Sequence, residues 1–141
     1  MPMLEIRSIS KFYQGPEGKI GALEGVSFDV ASGEFIILQG PSGPGKTSLL
    51  FIAGGLLAPS DGHVVVDGQN VFALHQERRA RFRADTVGFV FQEFHLIPYL
   101  NVLDNVLAPS MAVRRADARE RAGELIGRFN LASRIRHFPA E

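Results

Sequence analysis

No cysteine occurs in the 141 residues, so disulfide scaffolds, thiolate-bound structural zinc and thiol catalysis are excluded. A reducing compartment is allowed. Net charge is absent too: fifteen Lys and Arg meet fifteen Asp and Glu. This removes the electrostatic basis for a general nucleic-acid binder, and any phosphate has to be bound locally. The balance hides a mild asymmetry, with four basic and seven acidic residues up to position 70 and eleven and eight beyond it. Long apolar runs are missing. The longest, Leu49 to Ala58, has ten residues including two glycines, against the roughly 18 or more of a membrane helix. The start Met-Pro-Met-Leu-Glu lacks a basic patch followed by an apolar stretch, so no export signal is read and the cytoplasm is the expected compartment. Internal repeats and low-complexity tracts are lacking as well.

What remains is the composition of an ordinary globular chain, 45% hydrophobic and 21% charged, at the size of one domain or a piece of one. Leu4 to Phe12 alternates imperfectly, with Leu4 and Ile6 on one side and Glu5 and Arg7 on the other, as a partly exposed strand does. Val26, Phe28 and Val30 predict a second strand before the turn Ala31-Ser-Gly-Glu34. Phe35 to Leu38 and Val87 to Phe91 are short apolar runs, the pattern of strands buried on both faces of a mainly parallel sheet. Asp67-Gly68 between Val64-Val-Val66 and Val71-Phe72 predicts a hairpin. Helices are expected from Lys46 to Ala53 and, briefly, from Gln76 to Arg83. A further helix starts at Asn101, where Asp104 completes a capping box, and another carries Ala118, Ala122, Leu125, Ile126 and Phe129 on one face.

Between the run at 35–38 and the helix after it, Gly40-Pro-Ser-Gly-Pro-Gly-Lys46-Thr47 satisfies G-x-x-x-x-G-K-[ST] in strand–loop–helix context. Glycines let the backbone wrap phosphate oxygens, and the helix adds its positive end to the same place. Pro41 and Pro44 carry no N–H, so the expected donors are Ser42, Gly43, Gly45, Lys46, Thr47 and Ser48. Lys46 is expected to reach the β and γ phosphates as a point charge, and the Thr47 hydroxyl to ligate Mg²⁺. The plainer alternative is a glycine-rich turn with an exposed lysine. The motif by itself does not separate kinases, GTPases, helicases and transporter ATPases.

Read beyond this loop, the sequence resembles the nucleotide-binding subunit of ATP-binding cassette (ABC) transporters, most closely the lipoprotein-release and macrolide-export branch. The likeness covers the whole chain and rests on Gly25-Val-Ser-Phe28, Gly33-Glu34, Gly40 to Thr47, Val66-Asp-Gly68, Gly88-Phe-Val-Phe-Gln92 and Phe94-His-Leu-Ile-Pro98, in that order. It implies an α/β P-loop fold: an N-terminal antiparallel β-subdomain, a partial parallel core sheet and the start of an α-helical subdomain. It divides the chain into a nucleotide-binding core over 1–92 and a helical part over 93–141. By resemblance, Tyr13 stacks on adenine, although an ordinary strand-end aromatic is the alternative. Gln92 takes the place of the glutamine that senses Mg²⁺ and the attacking water, and a neutral donor–acceptor side chain suits that role. Phe94 to Leu100 would receive a helix of the transmembrane permease. The implied ligands are ATP and Mg²⁺. The implied partners are a second ATP-binding subunit, paired head to tail, and the permease, through which alone the subunit would touch the inner face of the cell membrane.

Other candidates are set aside. Asp67 precedes Gly68 in a hairpin, so turn chemistry explains it better than a metal-holding role. His63, His75, His95 and His137 show no metal-ligand spacing, and the Arg-rich segments 78–83 and 114–121 read as solvated helix faces. The sequence also departs from the resembled family. It contains no Leu-Ser-Gly-Gly-Gln signature, no strand ending in Asp-Glu and no switch histidine after these. The resemblance thus makes it the N-terminal part of an ATP hydrolase, expected to be inactive alone because the Glu that activates water is missing. It also implies that the strands lying between 35–38 and 87–91 belong to the remaining part. A non-catalytic nucleotide-binding fragment, or a P-loop enzyme of another kind, are the rival readings.

Overall fold

The alternating stretch at the N-terminus forms a strand that runs further than expected: β1 spans Leu4–Gly15 and pairs antiparallel with β2, Gly18–Val30. On its other edge β1 pairs antiparallel with β3, Asp61–Val66, which turns back into the short β4, Gln69–Asn70. The sheet order is β2-β1-β3-β4. This is a computed structural model, and it describes residues 2–16, 18–111 and 116–141. Packing divides the chain into two compact units, one ending at Arg83 and one beginning at Ala84. The division falls inside helix α2, Gln76–Thr86, which buries none of its residues.

A bulge in β1 decides which side chains reach the core of the first unit. Strict alternation would put Ile6 and Ile9 on opposite faces. Ser8 instead adopts a positive φ of 49°, and the register shifts between Ile6 and Ile9 against β2 and between Arg7 and Ser10 against β3. The extra residue returns Ile9 to the face of Ile6, and both are fully buried. The Ser8 N–H, displaced from the ladder, donates to Ser27 Oγ at 2.8 Å. Gly62 crosses this bulge with φ 86°, and a Cβ there would stand 2.4 Å from the Arg7 carbonyl oxygen, so only glycine fits. On the solvent side Arg7 bonds to Asp29 and, at 2.7 Å, to Glu5. The Asp29 bond chiefly holds the guanidinium above its ordinary pKa, but exposed pairs of this kind stabilise little.

Helix α1, Gly45–Ala53, lays Leu49 and Ile52 against the sheet, where they join Ile6, Ile9, Leu23, Val64, Val66 and Val71 in one buried cluster. The hairpin read at Asp67-Gly68 is present, with φ of 48° and 74° at the two turn residues, which keeps Asp67 in a turn role. The return strand is shorter than expected. Asn70 Oδ1 accepts from the Ala73 N–H at 3.3 Å and turns Val71–Ala73 into a 3-10 helix.

The two runs expected as parallel core strands, Phe35–Leu38 and Val87–Phe91, carry no ladder hydrogen bonds among the described residues. Phe35 is 86% exposed and Val90 wholly so. A strand is defined by its neighbours, and none of the described strands pairs with either run. The family-level α/β class stands on the structural likeness reported below. The partial parallel sheet does not form among the described residues, and Gln92 follows an irregular, partly exposed segment rather than a buried strand.

The second unit contains α3, Val102–Leu107, and α4, Ala118–Arg128, with 3-10 turns at Ala108–Met111 and Ala132–Arg134. Asn101 caps α3 as expected, its Oδ1 accepting from the Asp104 N–H at 2.9 Å. On α4 only Ala122 and Ile126 are buried, so the apolar stripe is narrower than the sequence suggests and Phe129 lies outside it, 70% exposed. The expected basic face at 114–121 is described from Ala116 onward, and its residues 114 and 115 lie outside the described residues. Among the described residues, no helix is long and apolar enough to cross a membrane.

Candidate functional site: the phosphate loop and its surroundings

The loop from Gly40 to Pro44 delivers the chain into α1 with no side-chain cap on the helix. The helix ladder begins with the Ser48 N–H, which donates to Pro44 O at 2.9 Å. The N–H groups of Gly45, Lys46 and Thr47 precede that ladder and are the orphan donors that every helix start leaves. Their partner is therefore an external acceptor, and an anion also gains from the positive end of the helix. The Ser48 N–H, also expected among the donors, makes that first bond inside the helix. Gly40 and Gly43, with φ of 156° and 157°, take the backbone conformations that let the loop curl. Gly45 lies so close to β2 that a Cβ would stand 2.8 Å from the Ala22 carbonyl oxygen.

These residues line a concavity of about 350 Å³ bounded by Gly21 to Leu23 of β2, by Leu38 and Gln39, by the loop from Gly40 through Lys46, and by Leu49. Lys46 points its ammonium back at the loop, donating to Gly40 O at 3.0 Å and to Pro41 O. Two loop carbonyl oxygens thus engage the ammonium. Thr47 is exposed. No group of three or more His, Asp or Glu that could hold a metal occurs among the described residues. A Mg²⁺ here would accordingly be held by Thr47, phosphate oxygens and water, as that ion prefers. The donor set fits such an ion when it arrives with a nucleotide.

Tyr13 lies at the far end of β1, opposite Ile20. Its hydroxyl is 2.7 Å from Ser48 Oγ, which ties the ring to the first turn of the loop's helix. Gln92 and the segment Phe94–Leu100 belong to the second unit. Gln92 is exposed, and Phe94 and Tyr99 are 88% and 76% exposed. Phe91 stacks on Phe89 with centroids 5.5 Å apart and meets His95 edge-on.

One organising residue of this segment escapes a motif reading. The side chain of Asn105 accepts from the Ile97 N–H at 2.8 Å and donates to the carbonyls of Ile97, Leu100 and Asn101 at 3.1, 2.8 and 3.1 Å. It partners the Ile97 N–H and the Leu100 carbonyl, and shares the carbonyls of Ile97 and Asn101 with the backbone N–H groups of Leu100 and Asn105. An asparagine inside a helix is disfavoured unless its amide has work elsewhere, and that was the available signal. Asn105→Ala should destabilise the second unit by about 1 kcal/mol and speed amide exchange at Ile97. Exchange at Ile97 unchanged by the substitution would show that this network does not hold the loop.

Comparison with known proteins gives these geometries a family. The family model described as "ABC transporter" matches residues 23–139. The chain belongs to the ABC transporter family. It is 41% identical over 141 residues to the lipoprotein-releasing system ATP-binding protein LolD 1 of Rhodopirellula baltica, an alignment covering 99% of this chain and 62% of that protein. The LolD protein of Geobacter metallireducens is 42% identical over 141 residues, with 99% and 63% covered. The putative hemin import ATP-binding protein HrtA of Staphylococcus epidermidis is 39% identical over 138 residues, with 96% and 62% covered. Among solved structures, the ATP-binding cassette MJ0796, a dimer in a post-hydrolysis state with ADP and Pi, superposes with a TM-score of 0.88. It is 35% identical and covers 98% of this chain and 62% of its own. The chain thus spans a little over three fifths of the length of each of these proteins.

Proposed function

We propose that this chain is the N-terminal part of the ATP-binding subunit of an ABC transporter, and that it binds Mg-ATP through Gly40–Thr47. The uncapped start of α1, with Lys46 turned onto the loop carbonyls beside its free N–H groups, is the observation that carries this reading. Gly40, Ser42, Gly43, Gly45, Lys46 and Thr47 hold the phosphates, Thr47 ligates Mg²⁺, and Tyr13 supports the base. Gln92 takes the metal- and water-sensing role, with the functional boundary between core and helical part after residue 92. The LolD names favour lipoprotein release as the work that ATP powers.

The partners are a second ATP-binding subunit and a permease. The dimeric state of the structural neighbour supports the first. The exposed aromatic segment Phe94–Leu100, held in shape by Asn105, is a surface suited to the second. Residence on the inner face of the cell membrane follows from the permease contact.

Titration calorimetry with Mg-ATP tests the reading directly, and the absence of saturable binding would overturn it. Hydrolysis is a separate matter. The 141 residues lack the signature, the Asp-Glu strand end and the switch histidine of the family, so they should bind without Mg-dependent turnover in a phosphate-release assay. Turnover that disappears in Lys46→Ala would instead place a catalytic carboxylate among the residues present, with Asp67 the first to examine.

A further inference from the structure

Helix α2 has little reason of its own to be a helix. Its eleven residues are polar over most of the surface and none is buried, and an isolated helix shorter than about 12–15 residues is marginal in water. Side chains hold it in place. Phe82 packs against the core cluster, the Arg79 guanidinium lies 5.4 Å from the Phe72 ring centroid, and Arg83 donates from Nη1 to the Gly55 carbonyl oxygen at 3.1 Å. All of these residues belong to the first unit. The bond from Arg83 reaches the trailing end of the phosphate loop's own helix. The Gly55 N–H donates to Ile52 O at 3.0 Å, and the Leu56 N–H to Phe51 O at 2.8 Å. The turn at Gly55 therefore exists only while the last turn of α1 does. Glycine is required there, because φ is 71° and a Cβ would stand 2.9 Å from Val71 Cγ1. Gly55 is buried, so its carbonyl oxygen needs a partner. Arg83 provides one, and brings a cation to the negative end of a helix whose own last turn has no basic residue.

We infer that Arg83 is a positioning residue: it ties α2 to the trailing end of α1, so that an anion captured at the leading end of α1 also steadies α2. The inference rests on the nucleotide-binding reading above. A ligand that binds only the formed α1 raises the free energy of opening that helix, and opening α1 dissolves the Gly55 turn on which Arg83 rests. States with Arg83 bonded are therefore favoured when ligand is present. Arg79 makes the contrast, since its partner Phe72 lies outside α1.

The test is amide hydrogen exchange of the 141-residue chain, of Arg83→Met and of Arg79→Met, each with and without excess Mg-ATP. Methionine keeps an apolar stem and removes the donors and the charge. In the unsubstituted chain Mg-ATP should slow exchange at 48–53 of α1 and, about fivefold, at 79–83 of α2, the size of one net hydrogen bond. Arg83→Met should keep the slowing in α1 and lose it in α2. Arg79→Met, which leaves the bond to Gly55 in place, should speed exchange in α2 with and without ligand and keep the slowing. A merely structural Arg83 would behave as Arg79 does, with faster exchange in α2 and the slowing intact, which would overturn the inference. Loss of the slowing in α1 of Arg83→Met would overturn it too, because Arg83 would then serve binding itself. So would loss of the slowing in α2 of Arg79→Met, because the coupling would then not belong to Arg83. In the unsubstituted chain, slowing in α1 without slowing in α2 would overturn the inference alone, whereas slowing in neither helix would overturn the nucleotide-binding reading and the inference with it.

Discussion

Lys46→Ala should weaken Mg-ATP binding by about 2 kcal/mol or more, roughly thirtyfold, because it removes a charge-assisted contact to phosphate. No other residue lining the concavity at the phosphate loop carries a formal charge, so nothing nearby can take over. The ammonium also competes for its place: in the free protein it rests on the carbonyls of Gly40 and Pro41, and nucleotide has to displace those bonds. Loss of the lysine removes both the gain and this cost, and the net loss remains large because phosphate oxygens bear full charge and carbonyls do not. Calorimetric titration of both forms decides the matter. Equal affinities would mean that Gly40–Thr47 is a glycine-rich turn and nothing more.

The 141-residue chain by itself should lack a cooperative, reversible unfolding transition, and the same chain extended through the part that its relatives carry should show one of roughly 5 kcal/mol or more. The reason is exposed apolar side chains on segments outside the sheet. Phe35, Ile37 and Val90 are 86%, 66% and 101% exposed, and the runs that carry them have no ladder partners among the described residues. Exposed apolar segments outside any sheet tend to pair with other chains, so aggregation should accompany the loss of cooperativity. Denaturant unfolding of the two lengths side by side is the measurement. A reversible transition of ordinary size in the short form would show that these residues make a complete folding unit.

Both predictions draw on features of different legibility. The phosphate loop was readable because its chemistry is local: glycines for curvature, a lysine and a threonine at fixed offsets, and a helix start that leaves donors free. The Asp67-Gly68 hairpin and the Asn101 cap were readable for the same reason, since each is settled by residues no more than four apart. Long-range partners were not readable in this way. Alternation placed Ile6 correctly but could not place Ile9, because the bulge at Ser8 depends on how two other strands pair with β1. The apolar runs at 35–38 and 87–91 were read as buried strands from hydrophobicity alone, which reports that a segment seeks cover and not whether a neighbour supplies it.

The sequence by itself therefore determined where the glycine-rich loop meets α1, the Asp67-Gly68 turn, the Asn101 cap and, through its ordered motifs, the family. Tertiary structure alone decided four other matters. It used the Ser48 N–H for the first bond of α1 and joined the Ser48 hydroxyl to Tyr13, 35 residues earlier in the chain. It made Asn105 the support of the segment from Ile97 to Asn101, and it left two apolar runs exposed. The division has one physical cause. Backbone geometry and capping are fixed by groups a few bonds away, which the order of residues records directly. Burial, strand pairing and side-chain partnership depend on which distant segments fold against one another, and that is set only when the whole chain has chosen its contacts.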